Sequence, residues 1–247
     1  MLPDRRAIVF DLDDTLYPYD AFLRSGFAAI ARHLDQTLRI RRSLTMRLLD
    51  CAARGPLRGR EIQALLHALD LPMSLIPALC DVLRSHTPAL ELPRASRLTL
   101  GALRRRGWRL GILTNGAPDV QRRKVYALGL TPLVDRIVYA AEHGDGTGKP
   151  DLAPFEEIAR RLDTPPGHIV MVGNDERCDV SGALDAGMVA IRCAVWTDAT
   201  PIGTRAMATI ARLSQLPSLV PAVIAGRHSD TAEPRNHDGR IEALHVA

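Results

Sequence analysis

The sequence predicts an α/β protein: a doubly wound parallel sheet with a bundle of helices inserted after its first strand. Three observations predict it. From about residue 94 onward, helical and strand patterns alternate, which builds a parallel sheet covered by helices on both faces. Residues 19 to 86 instead read as helix throughout, with no strand pattern among them. A short buried strand, residues 5 to 10 (RRAIVF), stands alone ahead of that helical block. A Rossmann-like sheet interrupted once, after strand one, satisfies all three.

The elements follow in order. In the inserted block, Phe22, Phe27, Ile30, Leu34 and Leu38 recur at helical spacing. So do Ile62, Leu65, Leu66 and Leu69, and then Leu75, Leu79 and Val82. Gly55-Pro56 and Leu71-Pro72 separate these helices. Beyond them, a helix over 95–106 precedes the strand WRLGIL (108–113), and a helix over 118–128 precedes RIVYA (136–140). A helix over 151–162 precedes HIVMV (168–172), and a helix over 178–186 precedes VAIRC (189–193). Residues 205–225 read as one more helix, and 226–247, rich in His, Asp, Arg and Gly, as a mobile tail. The expected organisation is a core of residues 1–16 and 94–225, a helical cap of 17–93 and the tail.

Composition narrows the function. The chain of 247 residues is long enough for one α/β domain with an insertion. No apolar run reaches the roughly 18 residues that would span a bilayer. The strand pattern also begins too soon after Met1 to leave room for a secretory signal, so a cytoplasmic protein is expected. Cys51, Cys80, Cys178 and Cys193 form no CxxC pair, which argues against zinc and disulfide frameworks. The pI is near 9.1 but the net charge is only +4. The excess is arginine, in runs such as Arg104-Arg105-Arg106 and Arg160-Arg161 that read as solvated helix faces. Aromatic residues are 4%, too few for a base-stacking surface. The expected partner is a small molecule, not a nucleic acid or a membrane, and the expected state is a monomer or homodimer.

Ligands of open α/β sheets collect at the carboxyl ends of the strands. There the sequence places Asp11-Leu12-Asp13-Asp14-Thr15 after AIVF, Thr114-Asn115-Gly116 after LGIL, and Gly173-Asn174-Asp175 with Asp179 after IVMV. One such cluster is no more than a helix cap; three at one edge point to chemistry. Two carboxylates two residues apart suit phosphoryl transfer, one attacking phosphorus and the other protonating the leaving oxygen. Crowded carboxylates call for a cation, and oxygen ligands without His or Cys favour Mg²⁺. His33, His67 and His86 read as solvated or half-buried cap residues, Trp108 as core and Cys178 as structural.

DLDDTL, TNG, a Gly-Lys-Pro and a GNDxxxD cluster, in that order, resemble the haloacid dehalogenase superfamily. The branch resembled is the one with a helical cap after strand one, and its phosphatases in particular. The resemblance covers about residues 5 to 195. It implies that Asp11 is the nucleophile, forms an aspartyl-phosphate and binds Mg²⁺. It implies that Asp13 is the general acid/base and ligates the metal through its carbonyl. Thr114 and the amide of Asn115 would hold the phosphate, Lys149 would bridge nucleophile and phosphate, and Asn174, Asp175 and Asp179 would complete the metal shell. Asn174 stands where the family usually has Asp, so either Asn174 or Asp175 is the ligand. The stretch before Lys149 fails as a P-loop, since Pro150 occupies the Ser/Thr position; Pro150 suits a helix start instead.

Other chemistries of the superfamily fit less well. Dehalogenases lack the second aspartate, present here as Asp13. Phosphonate cleavage needs a cap lysine, and no lysine lies between residues 14 and 123. A sugar-phosphate mutase and a non-catalytic binding module on the same fold remain as alternatives to a Mg²⁺-dependent phosphomonoester hydrolase.

Overall fold

A computed structural model describes residues 6–196 and 203–230. Six parallel strands lie in the order β3-β2-β1-β4-β5-β6. They are β1 (Ala7–Phe10), β2 (Arg109–Thr114), β3 (Arg136–Tyr139), β4 (Ile169–Gly173), β5 (Val189–Cys193) and β6 (Ala208–Ile210). β1 is central and pairs on both sides, Phe10 with Ile112 of β2 and with Val172 of β4. The strand order reverses between β1 and β4, which opens a crevice at their carboxyl ends. Asp11 continues the ladder by one bond, donating its N–H to Val172 O at 2.9 Å.

Both sheet faces are buried, as the apolar runs of β1 and β4 require. Side chains alternate between them with period two. Ile8, Phe10, Leu110, Ile112, Val170 and Val172 pack beneath α5 (Arg94–Arg105) and α9 (Leu216–Asp230). Val9, Leu113 and Met171 pack on the other face against Phe155, Ile158 and Leu162 of α7 (Leu152–Leu162). Each fully buried side chain of this size contributes about 1.5–3 kcal/mol. The strand ends are therefore rigid supports.

Between β1 and α5 lie α1 (Tyr19–Leu38), α2 (Arg42–Arg54), α3 (Glu61–Ala68) and α4 (Ile76–Ser85). They enclose an apolar cluster of their own: Phe27, Ile30 and Leu34 meet Leu49, Leu65, Leu66 and Leu79. α1 and α4 approach closely because Gly26 leaves room for Leu83. His86 is buried, its two ring nitrogens set against Leu83 O at 2.6 Å and Ser25 Oγ at 3.1 Å. It ties the end of α4 to α1. Trp108 is core. Among the described residues no helix is long and apolar enough to cross a membrane.

Four features differ from the sequence expectation. Residues 205–225 are not one helix: β6 comes first, then α9, which runs on to Asp230. β6 has three residues at the sheet edge, too few to show alternation. The expected tail at 226–247 thus begins as helix, and 231–247 lie outside the described residues. The helix expected over 178–186 is a π-helical turn, Glu176–Ser181, followed by the single turn α8 (Gly182–Asp185). Pro150 does not start α7; it stands two residues ahead of it, joined to Lys149 by a cis peptide bond. The remaining core helix is α6 (Pro118–Ala127).

Candidate active site

Asp11 is the first residue beyond β1 and is 7% exposed. Its Oδ1 accepts a hydrogen bond from Lys149 Nζ at 2.6 Å. The same ammonium donates to Asp179 Oδ1 at 2.6 Å and to Leu113 O at 3.0 Å. Lys149 is 4% exposed and Asp179 1%. Two buried carboxylates therefore share one ammonium. Burial pushes Asp11 up to about 7; Lys149 opposes this, while Asp179 and Asp13 add to it. Burial alone would lower Lys149, but Asp11 and Asp179 outweigh it and hold the ammonium above the ordinary lysine range. The site is short of positive charge.

The loop geometry behind this cluster is specific. Asn115 holds Lys149 by its main chain: Oδ1 accepts from Lys149 N at 2.8 Å and Nδ2 donates to Lys149 O at 2.9 Å. The π-helical turn folds Asp179 back over Gly173, where any Cβ would overlap the Asp179 carboxylate. Asp175 starts that turn, its Oδ1 accepting from Cys178 N at 2.6 Å. Asp179 Oδ2 accepts from Asp175 N at 3.0 Å. Cys178 is pushed up to about 11 by burial and by Asp175, so its thiol stays protonated and unreactive.

Asp13 leaves the same turn in another direction. Its carboxylate accepts from Lys124 Nζ at 2.9 and 2.8 Å, from Gln121 Nε2 at 3.0 Å and from Tyr17 Oη at 2.5 Å. Gln121 also donates to Thr114 Oγ1 at 2.6 Å, linking the acid to the end of β2. The Lys124 ammonium lies 4.9 Å from the Tyr19 ring and 4.3 Å from the Phe22 ring, both on α1. Asp14, in the left-handed region at φ 54°, accepts from Tyr19 N at 2.8 Å and so caps α1, which has no capping side chain at Pro18.

All eight residues singled out from the sequence line one cavity of about 620 Å³: Asp11, Asp13, Thr114, Asn115, Lys149, Asn174, Asp175 and Asp179. The cap side of that cavity carries Tyr19, Phe22, Cys80, Leu83 and Arg84. Among the described residues no three His, Cys, Asp or Glu side chains converge as a metal cage; Asp11 and Asp179 turn onto Lys149 instead. The donors suit a hard cation all the same: they are oxygens, and they carry more negative charge than one ammonium offsets. Lys124, Gln121 and Tyr17 were missed from the sequence. One signal was available: of 32 basic residues only two are lysines, and both lie in this site.

Residues 5–187 match the haloacid dehalogenase-like hydrolase family. The chain belongs to that family. A curated relative of this hydrolase is glyceraldehyde 3-phosphate phosphatase from Methanothermobacter thermautotrophicus. It is 32% identical over 197 residues, covering 75% of this chain and 84% of the relative. Two solved structures share the fold. The magnesium-bound HAD-hydrolase YfnB from Bacillus subtilis is 19% identical with a TM-score of 0.63, covering 87% of the hydrolase and 98% of YfnB. A 2-haloacid dehalogenase from Pseudomonas syringae is 26% identical with a TM-score of 0.60, covering 88% and 99%. The chain is a hydrolase of phosphate esters.

Proposed function

We propose that this hydrolase cleaves small phosphomonoesters through an aspartyl-phosphate on Asp11, with Mg²⁺ as cofactor. The observation that carries the reading is the pair of carboxylates on the turn out of β1, each set against its own buried lysine. Asp11 Oδ attacks phosphorus and the bond from phosphorus to the leaving oxygen breaks. Asp13 delivers a proton to that oxygen, so an alcohol departs. Water then attacks the phosphorus, Asp13 takes its proton, and the bond to Asp11 breaks to release phosphate. Thr114 and the main-chain amide of Asn115 hold the phosphate, and Lys149 spans nucleophile and phosphate.

The charge deficit at Asp11 and Asp179 supports a divalent cation here. Asp11, the Asp13 carbonyl, Asp179 and either Asn174 or Asp175 would hold it, and it would neutralise phosphate charge during transfer. Asp175 already caps the π-helical turn, which favours Asn174 over it as a ligand. Asp13, which dehalogenases lack, favours phosphate over the haloacid chemistry of the Pseudomonas relative. The test is hydrolysis of p-nitrophenyl phosphate with Mg²⁺ by wild type and Asp11→Asn. We expect turnover that EDTA stops and that Asp11→Asn lacks while melting normally. Turnover by Asp11→Asn within tenfold of wild type would overturn the reading.

A further inference from the structure

Three cationic side chains line the cavity: Lys149, Lys124 and Arg84. Two are already neutralised. Lys149 meets Asp11 and Asp179, both at 2.6 Å, and Lys124 meets both oxygens of Asp13. Arg84 differs. It lies in the last turn of α4, on the cap side of the cavity, with an exposed side chain. Among the described residues no carboxylate forms an ion pair with it.

Its surroundings strengthen this positive edge. Arg123 of α6 donates from Nη2 to the main-chain carbonyl of Arg84 at 2.8 Å, which brings a second guanidinium to the seam between cap and core. The Nε of Arg123 is buried without a partner. His86 nearby is disfavoured as a cation first by burial, which the hydrogen bond to Leu83 O opposes and Arg123, Arg32 and Lys124 reinforce. Phe22, Leu83 and Val120 line the same cavity and can pack a carbon skeleton but cannot pair with a charge. A ligand with its phosphate at Asp11 and a second anion at the far end of a short chain would meet a cation at each end.

We propose that Arg84 docks a second anionic group of the substrate, so that the preferred substrates are short phosphomonoesters carrying a carboxylate or a second phosphate opposite the scissile one. This rests on the phosphohydrolase reading above. A plain alternative is that Arg84 merely complements the C-terminal dipole of α4. That role would affect all substrates alike.

The experiment compares three esters on a three-carbon skeleton: 3-phosphoglycerate, propane-1,3-diol bisphosphate and glycerol 3-phosphate. Their far ends are a carboxylate, a phosphate and a hydroxyl. For wild type with Mg²⁺, kcat/KM should be at least tenfold higher for one or both anionic-ended esters than for glycerol 3-phosphate. The anion that gains most is the one the site takes. In Arg84→Met that ratio should fall at least tenfold, chiefly through KM, and Arg84→Lys should recover part of it. Equal kcat/KM for all three in wild type would overturn the proposal. So would an Arg84→Met variant that loses activity equally on all three, whether by unfolding or by a structural role, if Arg84→Lys keeps no preference. Wild type inactive on all three esters and on p-nitrophenyl phosphate would overturn the phosphohydrolase reading itself, and this proposal with it.

Discussion

Replacing Lys149 by methionine keeps the length of the side chain and removes the charge. Its ammonium makes three hydrogen bonds, two of them to carboxylates buried almost completely. Without it, Asp11 and Asp179 face each other with no counter-charge. Removing one partner of a buried ion pair costs about 3–5 kcal/mol. For a protein of this size each kcal/mol is worth about 2–4 °C, so the metal-free variant should melt roughly 6–20 °C below wild type. The upper half of that range is reached only if both carboxylates stay charged. Asp11 already sits near 7, and losing Lys149 pushes it higher, so proton uptake limits the cost at neutral pH. The assay is thermal unfolding at pH 8 with and without Mg²⁺. Mg²⁺ should narrow the gap, because it binds the folded state and supplies the missing charge. Lys149→Met/Asp179→Asn, which removes one of the two opposed carboxylates, should melt above Lys149→Met. A metal-free Lys149→Met that melts within about 2 °C of wild type would refute the account of Lys149 as the charge that holds this cluster together.

Three further outcomes follow from the same geometry. Lys124→Met should lower kcat/KM on an alkyl phosphate by ~10²-fold, since positioned acid catalysis is worth about 10²–10⁴. p-Nitrophenolate leaves without a proton, so the loss on p-nitrophenyl phosphate should be far smaller; equal losses would mean that Lys124 does not act through Asp13. Asn174→Asp should lower the Mg²⁺ activation constant, whereas Asp175→Ala should chiefly cost about 0.5–2 kcal/mol of stability through the lost cap; a larger effect of Asp175→Ala on Mg²⁺ activation would reverse the choice of ligand. Finally, Asp11 is raised from 3.8 to about 7, so the folded protein holds this proton more tightly than the unfolded chain. The stability it contributes is full below pH ~4 and is lost as pH rises through ~7. Metal-free wild type should therefore lose melting temperature relative to Asp11→Asn between pH 5 and 8, and a constant difference would contradict the raised value.

Much of the site was legible because a parallel sheet gathers the ends of its strands. Asp11, Thr114 and Asn174 each directly follow or close an apolar run, so finding the strand found the residue. Lys149 could be placed by its Gly-Lys-Pro setting. Lys124 could not: it sits mid-helix, 111 positions from the Asp13 it pairs with, and only the packing of α6 across the crevice joins them. β6 was hidden by its three-residue length. The π-helical turn was hidden because Asp175 and Asp179 are spaced as an ordinary helix start would be, and only the wide turn lays Asp179 over Gly173. Arg84 belongs to no motif, and only the placing of α4 along the cavity sets it apart.

The chain leaves the core for the cap at Asp14, one residue past the acid, and that crossing is pinned where Asp14 caps α1. It returns over residues 86–93, and the two crossings are tied together: Ala89 N donates to Ser25 Oγ of α1 at 2.8 Å, and Ser96 Oγ of α5 donates to Leu16 O at 2.6 Å. Arg84 stands two residues before that return, its carbonyl held by Arg123 of the core. Both ends of the proposed ligand are thus met beside the joints of the cap, and no residue of α2 or α3 lines the cavity. Those two helices can diverge in sequence without re-aiming either end.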